Sequence, residues 1–198
     1  IFFKPYPANH FTHTALDAAR IVRERGVRPE DVEQVELGVA GATVRTIGEP
    51  IDVKRAPETG YQAQFSGPYM VALGFFGGGG LGAGLEDFTD ERATDPDRRA
   101  LMAKVSVVAD AACNEVFPYQ FPATLKVRTR GGDEHEVAVM ANRGGDEAPL
   151  SDAELATKFR DNAAHGLRTD TIRAAEEAVR ALTAAENVGS LFATLDPN

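Results

Sequence analysis

The sequence predicts an α+β fold: a mostly antiparallel or mixed sheet with helices on one face, followed by a C-terminal helical hairpin. Three observations carry this expectation. First, period-two alternation of apolar and polar residues recurs in separated stretches, the sign of half-buried strands. Second, the first strand stretch follows an amphipathic helix, an order common in layered α/β domains. Third, the last fifty residues hold two helical stretches and no strand pattern. With 198 residues, 43% of them hydrophobic, the chain suffices for one ordinary domain with an appended helical piece. The expected division is residues 1–150 for the α+β part and 151–198 for the helical segment.

Taken in order, the chain opens on a strap, Ile1-Phe2-Phe3-Lys4-Pro5-Tyr6-Pro7-Ala8-Asn9-His10-Phe11-Thr12-His13. Pro5 and Pro7 fix φ and bias Lys4 and Tyr6 towards extended backbone. Thr12 is placed to cap a helix over residues 13–25, and Gly26 to end it in the left-handed conformation. Residues 32–40 alternate as a strand, with one slip near Val32. Residues 43–60, rich in Pro, Gly and charge, read as a connection. Lys54 and Arg55 lie in it, either solvated or facing an anion. The stretch 62–76 holds a helix with Ser66 as its N-cap, Pro68 in its first turn, and Tyr69, Leu73 and Phe76 on one face.

Gly77-Gly78-Gly79-Gly80-Leu81-Gly82 matches the spelling of a dinucleotide-binding loop, but no strand precedes it. Leu85-Glu86-Asp87 follows, acidic where a pyrophosphate would sit, so a flexible hinge or loop is expected. Asp95 and Pro96 start a short helix through Met102, and residues 105–109 make a short strand. Residues 123–130 and 134–141 alternate well and are joined by Gly131-Gly132-Asp133, a β-hairpin. Arg143-Gly144-Gly145 is a tight cationic turn. Ser151 and Glu154 form a capping box for a helix to about residue 164, and a second helix spans about 169–185.

The net charge of −9 argues against a nucleic-acid or anionic-membrane surface, while leaving room for a locally basic pocket. One cysteine, Cys113, allows no intrachain disulfide and fits a reducing cytoplasm. One Cys and four scattered His make no zinc spacing and cannot hold an iron–sulfur cluster. No apolar run is long enough to span a membrane. On the strap, an ammonium, two imidazoles, a carboxamide and a hydroxyl gather near one helix N-terminus, where an anion would be attracted. A plain surface loop with a solvated lysine and a helix cap is the competing interpretation.

Three stretches carry a resemblance to a known family. They are Lys4-Pro5-Tyr6-Pro7 with Thr12-His13 and Leu16-Asp17-Ala18-Ala19; Ala63-Gln64-Phe65-Ser66-Gly67-Pro68-Tyr69-Met70-Val71-Ala72; and Asn142-Arg143-Gly144-Gly145 with Pro149-Leu150-Ser151 and Lys158-Phe159. In order and spacing they resemble the C-terminal domain of the MmgE/PrpD family, which includes 2-methylcitrate dehydratases, cis-aconitate decarboxylases and iminodisuccinate epimerases. The resemblance implies a cofactor-independent lyase or epimerase acting on a small di- or tricarboxylate. It implies catalytic roles for Lys4, as carboxylate-binding cation or proton donor, and Tyr69, as hydrogen-bond donor or proton relay. It implies substrate-binding roles for Asn9, His13, Ser66 and Arg143. Gln64 stands where relatives more often carry Lys. Family members pair such a domain with a large N-terminal helical domain, so the resemblance implies a catalytic partner domain, a homodimeric parent protein and an inactive isolated chain. A non-catalytic binding or regulatory domain of the same fold is the alternative.

Overall fold

The structure, a computed structural model, describes residues 1–195. They separate into two compact units, one over Ile1–Leu150 and one beginning at Ser151. The first contains α1 (His13–Glu24), β1 (Val32–Val39), α2 (Gly41–Ile47), α3 (Ile51–Arg55), α4 (Gly60–Ala63), α5 (Gly67–Phe76), α6 (Asp90–Ala93), α7 (Pro96–Met102), β2 (Val105–Ala109), α8 (Ala111–Val116), β3 (Ala123–Thr129) and β4 (Glu134–Val139). The second contains α9 (Asp152–Ala163), α10 (Thr169–Arg180) and α11 (Gly189–Leu195).

The four strands form one mixed sheet in the order β2-β1-β3-β4. β1 pairs with β2 in parallel and with β3 antiparallel, and β3 pairs with β4 antiparallel. The parallel pair needs a long crossover, which runs through α2 to α7. Register aligns Val107, Leu37, Leu125 and Val137 in one row across the sheet, on the face that meets the helices. The neighbouring row, Ser106, Glu36, Lys126 and Glu136, faces away, and Lys126 lies 3.6 Å from Glu36 across it. The register slips between Val32 and Gln34, so Val32 and Val35 are both buried although they differ in parity. This bulge is the physical content of the irregularity that the alternation showed at Val32.

α1 and α5 pack together over the inner face. A Cβ on Gly74 would lie 2.6 Å from Ala19 Cβ and 2.6 Å from the Leu16 carbonyl oxygen, so this crossing needs a glycine. α5 is buried from Gly67 through Phe75. The single apolar face expected for it is a correction: a helix that is apolar all round sits inside the domain. The helix begins at Gly67, directly after the cap expected at Ser66, and Pro68 lies in its first turn. Ser66 takes extended backbone (φ −111°, ψ 115°) and caps α5 through its hydroxyl, which accepts from Tyr69 N–H.

The expected connection over residues 43–60 is instead largely helical, holding most of α2 and all of α3. Lys54 explains how it holds together. Its Nζ donates to the carbonyls of Thr46 (2.6 Å) and Phe65 (2.9 Å), and Arg55 Nε donates to Val105 O (2.8 Å). These cations tie the connection to Phe65 and to β2.

In the second unit, Ser151 and Glu154 make the expected capping box at α9. Arg160 grips Glu176 through two bonds of 2.7 and 2.8 Å, tying α9 to α10. The second helix is shorter than expected: α10 ends at Arg180, a 3₁₀ turn covers Leu182–Ala184, and α11 follows. Val179, Val188 and Phe192 are exposed apolar side chains of this unit. No helix among the described residues is long and apolar enough to cross a membrane.

Candidate functional site

The strap is held at several points. Phe3 N–H donates to Gly144 O (2.8 Å), and Asn9 N–H donates to Gln64 O (2.9 Å). Between them Tyr6 is fully buried. Its hydroxyl donates to Asp17 Oδ1 of α1 (2.6 Å) and accepts from Arg143 Nη1 (2.5 Å). Arg143 also donates to Leu81 O (3.2 Å), and Arg20 lies 3.7 Å from Asp17. Burial pushes the Tyr6 hydroxyl well above its ordinary range, with the Asp17 carboxylate adding to it. Burial also raises the Asp17 carboxyl, while the Tyr6 hydroxyl, Arg143 and Arg20 oppose the shift. Lys4 sits between the Phe3 and Tyr6 anchors with its side chain exposed.

The helix start is organised differently from the expectation. Thr12 makes no side-chain cap. Asn9 does that work for a 3₁₀ turn, His10–Thr12, that leads into α1: its Oδ1 accepts from Phe11 N–H (2.9 Å). With its oxygen engaged, Asn9 has its NH₂ left to offer as a donor. His13 is fully buried, and its ring packs edge-on to Tyr6 and to His10. Its Nε2 donates to Ala8 O (3.3 Å), since a carbonyl can only accept. His13 therefore supports the strap from below. His10 packs against Phe2, His13 and Phe121, each at a ring separation of 4.9 Å. Burial, then the Lys4 ammonium, pushes its pKa down to about 4, so the ring is neutral at physiological pH.

The Arg143-Gly144-Gly145 turn owes its glycines to the strap. A Cβ on Gly144 (φ +88°) would lie 1.9 Å from Phe3 O, and one on Gly145 would lie 2.4 Å from the Phe2 ring. Asn142 before them is fully buried, accepts from Phe121 N–H (2.7 Å) and donates its own N–H to Gln120 (3.1 Å). Arg143 is thus oriented inward to Tyr6 and Asp17, a structural engagement that the substrate-binding expectation for it did not include.

Tyr69 and Ser66 lie in a different hydrogen-bonded cluster. Tyr69 is fully buried; its hydroxyl donates to the Asp87 carbonyl and accepts from Arg98 Nη1 (2.7 Å). Burial raises its pKa, with Arg98 opposing. In this structure the Tyr69 hydroxyl is thus engaged as both donor and acceptor within the core. Ser66 is likewise buried, donating to Lys54 O (2.5 Å) while capping α5.

The glycine-rich loop joins the two clusters. Asp87 Oδ2 accepts from Gly79 N–H (2.8 Å) and Gly84 N–H (2.9 Å), and Arg98 lies 3.8 Å from Oδ1. The loop does build an anion nest, but its own carboxylate fills it, which is why the glycine spelling carries no phosphate site. Rather than a free hinge, the loop is tied at Gly79, Leu81 and Gly84. Tyr6, Asp17 and His10 stood in the stretches read from the sequence, but no role was assigned to any of them there. A tyrosine between two prolines and a carboxylate within the apolar stripe Leu16-Asp17-Ala18-Ala19 were the available signals.

The chain belongs to the MmgE/PrpD family, whose C-terminal domain matches residues 6–184. Among similar proteins is cis-aconitate decarboxylase of Mus musculus, 25% identical over 179 residues, which cover 87% of this chain and 34% of that protein. The chain therefore spans about a third of the length of that relative. The family match begins at Tyr6, two residues after Lys4.

Proposed function

We propose that this chain is the C-terminal domain of a cofactor-independent lyase, a dehydratase or decarboxylase, or of an epimerase, acting on a small di- or tricarboxylate such as 2-methylcitrate or cis-aconitate. The observation that carries the proposal is Lys4: an exposed ammonium on a strap whose backbone is fixed on both sides. In these reactions negative charge develops on the carbon beside a carboxylate. A cation held against that carboxylate lowers the barrier, provided it is in place before the charge appears. Lys4 fills that role, and the Asn9 NH₂ group lies further along the same strap as a neutral donor. The proton transfers fall to groups outside this chain, on an N-terminal helical domain. The exposed apolar side chains Val179, Val188 and Phe192 are the surface we assign to contact with that domain. A homodimeric, cytoplasmic parent protein completes the proposal.

The test uses the full-length protein that carries this chain, assayed for dehydration, decarboxylation and epimerisation of a panel of di- and tricarboxylates. Lys4→Met should lower kcat/KM by about 100-fold or more on the active substrate, the scale for loss of one preorganised charge-stabilising group. Turnover within two-fold of the parent would remove Lys4 from the site. Binding of carboxylates without any turnover would favour the regulatory-domain alternative.

A further inference from the structure

We infer that Tyr6, Asp17 and Arg143 are positioning residues that set where the Lys4 ammonium meets substrate. The inference rests on the role proposed for Lys4. Both anchors flanking Lys4 lead to one three-residue turn. On the N-terminal side, Phe3 N–H donates to Gly144 O (2.8 Å). On the C-terminal side, the Tyr6 hydroxyl accepts from Arg143, the residue before that glycine (2.5 Å). The turn thus grips the strap on either side of the lysine.

The third member comes from α1. Asp17 Oδ1 accepts from the Tyr6 hydroxyl (2.6 Å) and lies 3.7 Å from Arg143 Nη1. One hydroxyl therefore joins a helix, a turn and the strap. The Asp17 side chain is 4% exposed and that of Arg143 20%, so water competes weakly for these bonds. Pro5 and Pro7 on either side of Tyr6 leave the strap few soft torsions with which to absorb a lost anchor. A lysine side chain has many rotamers, so the placement of its ammonium depends on where its Cα is held. Reaction geometry tolerates little error: a displacement of about 1 Å costs about 100-fold in rate.

The experiment is a pair of measurements on the full-length protein with Tyr6→Phe, which keeps the ring in its buried slot and removes only the hydroxyl. Amide hydrogen exchange reads the strap directly. Exchange at Phe3, Ala8 and Asn9, whose N–H groups bond Gly144, Tyr6 and Gln64, should speed up at least ten-fold, with the sheet unchanged. Kinetics reads the consequence: kcat/KM should fall about 10- to 100-fold. In the Lys4→Met background the same substitution should cost nothing further, because its effect passes through the lysine. Arg143→Lys, which keeps the charge and loses the planar fork, should fall between parent and Tyr6→Phe.

Unchanged exchange in the strap would overturn the clamp itself, whatever Lys4 does. Faster exchange with additive kinetic effects of Tyr6→Phe and Lys4→Met would overturn the positioning role while leaving Lys4 in the site. Faster exchange with a fully active Lys4→Met would refute the proposed function and take the positioning claim with it.

Discussion

Gly144→Ala adds one methyl group where the strap crosses the Arg143 turn, and its cost can be worked from the structure. Gly144 has φ +88°, a left-handed conformation that costs alanine about 1–2 kcal/mol. The new Cβ would also lie 1.9 Å from Phe3 O and 2.9 Å from its carbonyl carbon. Ordinary contacts require the strap to retreat by more than about 1 Å. That retreat breaks the Phe3 N–H bond to Gly144 O, worth about 0.5–1.5 kcal/mol net. The total is about 2–3 kcal/mol. Gly132 provides the control: it has φ +90° in the β3–β4 turn, and a Cβ there meets nothing within 4 Å. Gly132→Ala therefore carries the conformational cost without the collision. Urea unfolding should place Gly144→Ala about 1 kcal/mol or more below Gly132→Ala. In the full-length protein, Gly144→Ala should also lose about 100-fold in kcat/KM while Gly132→Ala stays near the parent. Equal stability and equal activity of the two variants would refute the reasoning that the turn is shaped to seat the strap.

Two further predictions concern the buried charges and the neutral histidine. Asp87→Ala leaves Arg98, 5% exposed, without its carboxylate and leaves two loop amides without their acceptor. The expected loss is about 3–5 kcal/mol in urea unfolding, and a loss under about 1 kcal/mol would show that the nest does not hold the loop. For His10, the folded pKa of about 4 lies below the ordinary 6.5, so the unfolded chain takes up the proton first as pH falls. The stability it contributes is present above about pH 6.5, is lost between there and pH 4, and changes no further below that. Because the ring is only half-buried, solvent screening reduces the effect to roughly 1–2 kcal/mol. His10→Gln should flatten that part of the stability–pH curve; an unchanged curve would mean that His10 is not the group responsible.

The strand pattern, the hairpin at Gly131-Gly132-Asp133 and the caps at Ser66, Asp95 and Ser151 were all legible in the sequence. Each is decided within a few residues, by side-chain period or by one hydroxyl or carboxylate reaching the next turn. Even the bulge at Val32 appeared as a break in alternation. Short helices were less legible: α2 and α3 lie where Pro, Gly and charge suggested a connection, and long-range contacts such as Arg55 to Val105 hold that region. The strap was recognisable by its prolines and by family resemblance, and Lys4 is indeed exposed on it.

By itself, the sequence determined the class of fold, the family and the presence of a stiff lysine-bearing strap, because periodicity, proline and capping act locally. Only the tertiary structure decided which polar groups have partners. Tyr6 meets Arg143 across 137 positions of chain, and Tyr69 meets Arg98 across 29. Those long-range bonds tied the Tyr6 hydroxyl to the Arg143 turn and turned Tyr69 into a buried tie. A buried polar group must be satisfied by whatever the fold brings beside it, and local pattern carries no information about that neighbour.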